Sequence, residues 1–578
     1  MSDQHPTRNN PFIVGVSGHR DLNAEGIPRV QGAVATFVAE LKRFLPHTEL
    51  RIVVGMAEGA DLLVAQTALG LGIGIDAVLP MPLGRYANDF APDTLAVLRG
   101  VLRDPRVTVT ELAAEAGASP ETLYATLTAT LIRRSSLLLA VWDGQSSPLP
   151  GGTADTVLRY VGARTAENKA EIALEFVDST LDMDSADHLV FWIPAARSDG
   201  TPLDPKVQPT FVLGIGDNLL QVQRSMPPQL ESQLHELDNY NRDFAQLTAD
   251  AALGTPDSLL AGLPFDIGAG ERVALQEIDS AYGKADALAV YFQLRSNRLF
   301  GLFGIMTFTM GLAYLIYEKL TESRVVLLAY LAILLSSLGL YHLLQSRRWF
   351  AKHLTYRALA ETMRVKFYLT LAGVDRRVDA GEVLALSGIN RFRGFGWLGY
   401  VLKSVEPQSS FEGTTGGAGA APSHRVEDAW IETQHRYFAS KVAQLAQSSK
   451  QLKRLRNTLF VVILLVIVTL FVFGENMHHA DARLGIPLQN LLTFCMGFLA
   501  VLLGVWELHE NKMATHELLW QYRTQLSHFS HARQRLSRTT SASHRDDVLV
   551  ELGKDSLMES YLWTIHRYHR EHEPPAAR

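Results

Sequence analysis

The stretch "SLLLAVWDGQSSPLPGGTADTV" (residues 136–157) runs from an unbroken apolar segment, through a loop ending in paired glycines, into a helical pattern opening at Thr153. A short apolar run with no alternation, bounded by turn residues, suits a strand covered on both faces. The same succession recurs through the first 200 residues. "FIVGVS" precedes a helix near 26–44, and "RIVVG" precedes one at 60–70. "IDAVLP" and "RVTVTEL" follow, then a helix near 120–135, the quoted strand and helix, and "HLVFWIP". Strands alternating with helices predict an α/β, doubly wound parallel sheet with its ligand beyond the carboxyl ends of the strands.

Loops at those ends carry glycine: "GVSGHRD" (15–21), "GMAEGADLL" (55–63), "PMPLGRYANDF" (80–90) and the quoted loop. Glycine lets backbone amides approach an anion, and a helix N-terminus adds about half a positive charge. Gly15, Gly18, Gly55, Gly59, Gly151 and Gly152 are therefore candidate phosphate contacts. Ser17, Thr153 and Thr156 can donate to phosphate oxygens, and Arg20 and Arg85 can supply full charge. His19, Glu58, Asp61 and Asp143 complete the candidate set. Each has a plainer reading. The glycines can serve as turns, Arg20 as an ion pair with Asp21 or Asp61, His19 as a hydrogen-bonded support, and Asp61 as a partner of its own helix dipole. No GxxxxGK[ST] occurs, which excludes a P-loop.

The remaining chain is apolar in a different way. Runs at 299–317, 325–344, 459–474 and about 486–506 approach the ~20 residues that a bilayer-crossing helix needs. They predict an all-α membrane region of four transmembrane helices in two pairs. Basic residues gather outside each pair, at Arg295, Arg298, Arg347, Arg348, Lys450, Lys453, Arg454 and Arg456, while the two short turns lack a basic excess. Both termini are thus expected in the cytoplasm, with the chain multi-pass in the cytoplasmic membrane. The polar start "MSDQHPTRNN" has no secretory apolar segment, consistent with that placement. A net charge of −6 argues against nucleic acid as partner. One cysteine, Cys495, excludes a disulfide framework. No cofactor is expected beyond the ligand itself. His478 and His479, adjacent in a turn, are weak grounds for zinc, and the tail "HRYHREHE" reads as a solvated charged end.

The spans hold no Asp, Glu, Lys or Arg, the usual mark of ion-coupled transport. Gly301, Gly304, Gly497 and Gly504 suit close helix contacts. Four helices enclose little polar space, so a pore requires a homo-oligomer. Expected boundaries are 1–200 for the α/β domain and 201–285 for a helical linker, the latter running unbroken into the first span. A first two-span module covers 286–375, a flexible linker 376–424, a second module 425–540, and a tail 541–578.

In this order, "VSGHRD", "GMAEGADLLVAQTAL", "VLPMPLGRYANDF" and "WDGQSSPLPGGTADTV" resemble the SLOG superfamily, a Rossmann-like group that includes LOG phosphoribohydrolases, DprA proteins and the N-terminal regions of TRPM channels. The resemblance covers residues 10–200. The paired spans, with "YRALAETMR" and "WIETQHRYF" beside them, resemble SLATT two-transmembrane modules. This pairing implies a cytoplasmic nucleotide sensor driving a membrane-perforating effector in bacterial conflict, including antiphage defence. The LOG pattern P-G-G-x-G-T-x-E-E is met at Pro150, Gly151 and Gly152 only; Val157 and Leu158 stand where its acids belong. That departure points away from N-glycosidic hydrolysis, unless Asp143 or Glu58 acts from a neighbouring loop. Three readings stay open: a ligand-gated effector, a membrane-anchored nucleotide hydrolase or N-glycosidase, and a constitutive channel or scaffold. The first rests on backbone amides at the sheet edge being available to an anion.

Overall fold

A computed structural model describes residues 9–112, 118–145, 151–162, 173–176, 188–200, 208–214, 219–374, 378, 380–389, 394–406, 422–477, 487–513 and 515–571. The chain divides into two compact units, residues 1–284 with 362–419, and residues 285–361 with 420–578.

In the first unit the elements are β1 (Phe12–Gly18), α1 (Ile27–Phe44), β2 (Leu50–Val54), α2 (Ala60–Gly70), β3 (Gly74–Leu79), α3 (Leu83–Tyr86), α4 (Pro92–Leu102), β4 (Val107–Glu111), α5 (Pro120–Arg134), β5 (Leu137–Trp142), α6 (Thr153–Tyr160), β6 (Ala173–Phe176), β7 (Val190–Pro194), β8 (Thr210–Gly214), β9 (Leu219–Gln223) and α7 (Pro228–Ala249). The sheet order is β4-β3-β2-β1-β5-β7-β8-β9-β6. The six strands from β4 to β7 pair in parallel, and chain order reverses between β1 and β5. An all-parallel sheet is corrected here, because β8 is antiparallel to both its neighbours. Only four residues join β8 to β9, too few for the dozen or so of a parallel crossover. The sheet also runs past residue 200, into what the sequence reads as linker.

Successive side chains of a strand face opposite ways. Phe191 stacks on Phe37 of α1 at 4.1 Å, while Val190 and Trp192 share a buried cluster with Val157 and Tyr160 of α6. Helices therefore cover both faces. The stretch expected to be a flexible linker at 376–424 is partly built into this core. It holds α11 (Ala380–Leu386) and α12 (Leu398–Ser404), with Phe395, Trp397 and Tyr400 buried and Tyr400 edge-on to Phe12 at 5.1 Å. Residues 409–421, the Gly/Ser/Ala-rich part, lie outside the described residues.

α8 (Ala269–Lys319) is one continuous helix whose turns up to Lys284 belong to this unit, and α10 (Trp349–Ala372) contributes from Thr362 onward. Lys284 is fully buried, and its Nζ donates to Asn241 Oδ1 on α7 at 2.5 Å. Asn241 Nδ2 in turn reaches the Asn10 carbonyl and Thr48 Oγ1, just before β1 and β2.

The second unit holds the rest of α8 and α10, α9 (Arg324–Arg347), α13 (Pro422–Val426), α14 (Thr433–Met477), α15 (Leu488–Met513), α16 (Thr515–Arg538) and α17 (Ala542–Glu571). Helices in Ala269–Lys319, Arg324–Leu343, His424–Phe473 and Leu488–Leu508 are long and apolar enough to cross a membrane. Their apolar side chains are bared, with Phe471 at 90% exposure. Water does not tolerate such a surface over four helices, and lipid does. The chain is a membrane protein on that ground. Away from the apolar windows, Trp430, Phe438 and Phe529 form an aromatic cluster between α14, α16 and the π-helical turn Glu427–Glu432.

Only some of the span glycines make the expected close contacts. A Cβ at Gly311 would sit 2.7 Å from Val501, and one at Gly497 would sit 2.6 Å from Leu315, so α8 and α15 approach closely there. Gly304 meets Val505 at ordinary distance, whereas a Cβ at Gly301 or Gly504 would meet nothing.

Candidate ligand site at the carboxyl edge of the sheet

The loops after β1, β2, β3 and β5 converge on α5 and α2. Gly59, before α2, has φ +86°, and a Cβ there would lie 2.2 Å from the Arg20 carbonyl oxygen. Gly18 is as tight, with Ala60 Cβ 2.4 Å from where its own would be. These two glycines let the β1 and β2 loops touch. Gly15 lies deeper, where Ser135 Oγ occupies the space of a side chain, and a Cβ at Gly55 would press on Leu127. Both are packing positions. Ser17 is buried in β1 beside them.

Asp61, in the first turn of α2, is 6% exposed. Its Oδ2 accepts the Ala57 amide at 3.3 Å, and its Oδ1 has no hydrogen-bond partner. Burial pushes its carboxyl up to about 7, against the Ala57 amide, the Arg20 charge and the Gly18 amide, which pull it down.

At β5 a second acid does the same. Gly151 (φ +76°) donates its amide to Asp155 Oδ2 at 2.8 Å, and Asp155 Oδ1 also takes Arg159. Two amides of this edge are therefore taken by the chain's own carboxylates, those of Ala57 and Gly151, so Gly151 does not offer its amide to an anion as expected. Both acids sit one turn ahead of the amide they accept, as helix N-terminal geometry favours. Gly152 is the residue before α6, and its carbonyl accepts Thr156 Oγ1 at 3.0 Å. Thr156 also meets Thr128 at 3.3 Å and is 1% exposed; Thr153 is likewise buried.

His19 is buried, and burial lowers its pKa more than Asp143 raises it. Its Nε2 accepts the Asp143 amide at 3.0 Å, so the ring is neutral with its proton on Nδ1. The 3.2 Å approach of Nε2 to the Asp143 carboxylate is therefore not an ion pair. Asp143 instead binds Arg197 at 3.1 Å and the Gln145 amide. Glu58 accepts Thr94 Oγ1 at 2.7 Å, and Arg85 is exposed on α3.

The centre of this edge is a residue the loop motifs do not contain. Tyr124 carries Arg20 over its ring face at 5.0 Å, donates to Asp89 Oδ2 at 2.6 Å, and has its Cβ 3.0 Å from where one on Gly151 would stand. Tyr86 lies beneath, donating to the Gly55 carbonyl at 3.1 Å. One signal was available. A helix between parallel strands runs against them, so the first turns of α5 must stand at the carboxyl edge. Pro148 to Pro150 and the histidine pair 478–479 lie outside the described residues.

Among the described residues the edge brings Arg20, braced on the Tyr124 ring, beside the buried Asp61 carboxyl, with Arg85 exposed on α3 and Arg197 held by Asp143. It suits a ligand bearing both an anionic group and a hydrogen-bond donor. No family model matches the chain, and no curated protein is significantly similar to it.

Proposed function

We propose that the protein is a membrane-embedded sensor. A nucleotide or nucleotide-derived signal binds at the carboxyl edge of a Rossmann-like, SLOG-type domain and alters the arrangement of SLATT-like membrane helices that act as an oligomeric effector. The observation that carries the reading is the meeting of Arg20, Tyr124 and the half-satisfied Asp61 where the chain order reverses, the usual ligand crevice of such sheets. Arg20 would take phosphate and Asp61 a ribose hydroxyl or base amine, so recognition runs through side chains rather than amides. The resemblance to conflict-system modules supports a role in defence, with both termini cytoplasmic.

The test is saturable binding of a nucleotide panel to the full chain, with no turnover, lost in Arg20→Glu, together with ligand-dependent dye release from proteoliposomes. Binding by none of the panel, or release indifferent to ligand, rejects it.

One observation favours a second reading. A carboxyl held at about 7 is suited to general acid catalysis, so Asp61 could serve a hydrolase or N-glycosidase. Chromatography of incubated nucleotides decides between the two, because hydrolysis releases a base that Asp61→Asn would not.

A further inference from the structure

Where α8 and α9 leave their apolar stretches, cations and aromatic rings interleave. On α8, Arg295 and Arg298 are exposed and three residues apart, hence on one helix face. α9 ends at Arg347, also exposed, and Arg348 (φ +49°) turns the chain into α10 at Trp349. A positive φ is rare outside glycine, so this corner is held by its surroundings. It is held against α8: the Arg295 guanidinium lies 4.9 Å from the Tyr291 ring centre and 5.3 Å from that of Trp349. Around it, Lys352 Nζ stands 5.1 Å over Phe292, and Arg567 of α17 stands 5.3 Å from both Phe350 and Trp563.

We propose that Arg295, seated on this aromatic collar, and the exposed Arg298 and Arg347 at the same ends of α8 and α9 bind the phosphate of an anionic phospholipid headgroup. The ring contacts brace the Arg295 guanidinium, and its N–H groups suit phosphate oxygens. Tryptophan and tyrosine favour the depth of the headgroups, and cation clusters at span ends attract anionic lipid. The nearby carboxylates of Asp286 and Glu361 are engaged by Arg357. A lipid, rather than a soluble phosphate, fits because Leu294, Leu302 and Leu343 are exposed beside the cations and offer apolar contact to acyl chains.

The experiment is thermal unfolding of the full-length protein in detergent, titrated with short-chain phosphatidylglycerol, short-chain phosphatidylcholine or inorganic phosphate. Phosphatidylglycerol should raise the unfolding temperature saturably, and the other two should not. Arg298→Gln and Arg347→Gln should each weaken that response roughly fivefold in affinity, the share of one cation near an anionic surface. Arg99→Gln, on exposed α4, should change nothing. Should Arg295→Gln fail to fold, the exposed pair decides alone. Equal stabilisation by phosphatidylcholine or phosphate, or an unchanged phosphatidylglycerol affinity in the Arg298→Gln/Arg347→Gln double variant, overturns the proposal.

Discussion

Asp61 stands in the first turn of α2, where the helix dipole welcomes a carboxylate, yet it is buried with one oxygen lacking a partner. Burial wins, and the group keeps its proton to about pH 7 in the fold against 3.8 unfolded. Between those values the native state holds a proton that the unfolded chain has released, so stability falls as pH rises, by at most about 1.4 kcal/mol per unit. Above pH 7 the loss is complete. Asp61→Asn removes the titration, so it should gain stability over the wild type at pH 8, with the gain shrinking toward pH 4. Thermal unfolding across that range checks it, and a pH-independent difference would show that Asp61 does not titrate in this window. Gly59 allows a cleaner comparison. Gly59→Ala must adopt a left-handed backbone and displace the Arg20 carbonyl, so a loss of more than about 1–2 kcal/mol is expected even without ligand. Gly70→Ala, at the last residue of α2 with open space around it, should be neutral or stabilising by at most about 1 kcal/mol. Equal effects at the two sites would mean that close packing is not why Gly59 is there.

Elements with an unbroken pattern were legible from sequence. α2 spans Ala60–Gly70 as its apolar run implies, and α8 runs without a break into the first apolar window. The β1, β2, β3 and β5 loops were placed at one edge by strand direction alone. The occupancy of the Ala57 and Gly151 amides was not, because it depends on first-turn side chains of α2 and α6 folding back. α12 was hidden for another reason: its seven residues show too little period to separate a buried helix from a linker, and Trp397 and Tyr400 find their partners only in three dimensions. The glycines of the spans separate in the same way. Nothing in sequence sets Gly301 apart from Gly311, yet only Gly311 faces Val501. Gly311→Val should overpack α8 against α15 at a cost of about 1–3 kcal/mol, while Gly301→Val should be tolerated. Unfolding temperatures of the two variants in one detergent make the comparison, and equal loss would mean that the α8–α15 contact is not a tight one.

At the scale of the whole chain, sensing requires the carboxyl edge of the sheet to influence α8, and the first unit ties α8 to the opposite edge. Lys284 binds Asn241, and Asn241 holds the backbone before β1 and the hydroxyl before β2. A seven-residue strand separates the two edges by ~23 Å of stiff backbone. A ligand that moved only a loop would not be felt there, whereas one that shifts β1 and β2 as a body would be. Lys284 is buried against the rings of Tyr240 and Phe244, at 4.2 and 5.1 Å, and its surroundings hold its pKa well below the usual lysine value. Lys284→Met keeps the stem and its packing but removes the bond to Asn241. If the network transmits, nucleotide binding by this variant should match the wild type while ligand-dependent dye release falls at least several-fold. Hydrogen exchange at β1 and β2 in the same preparations confirms that the sheet is intact. Release that follows binding unchanged would show that the Lys284–Asn241 bond does not carry the signal.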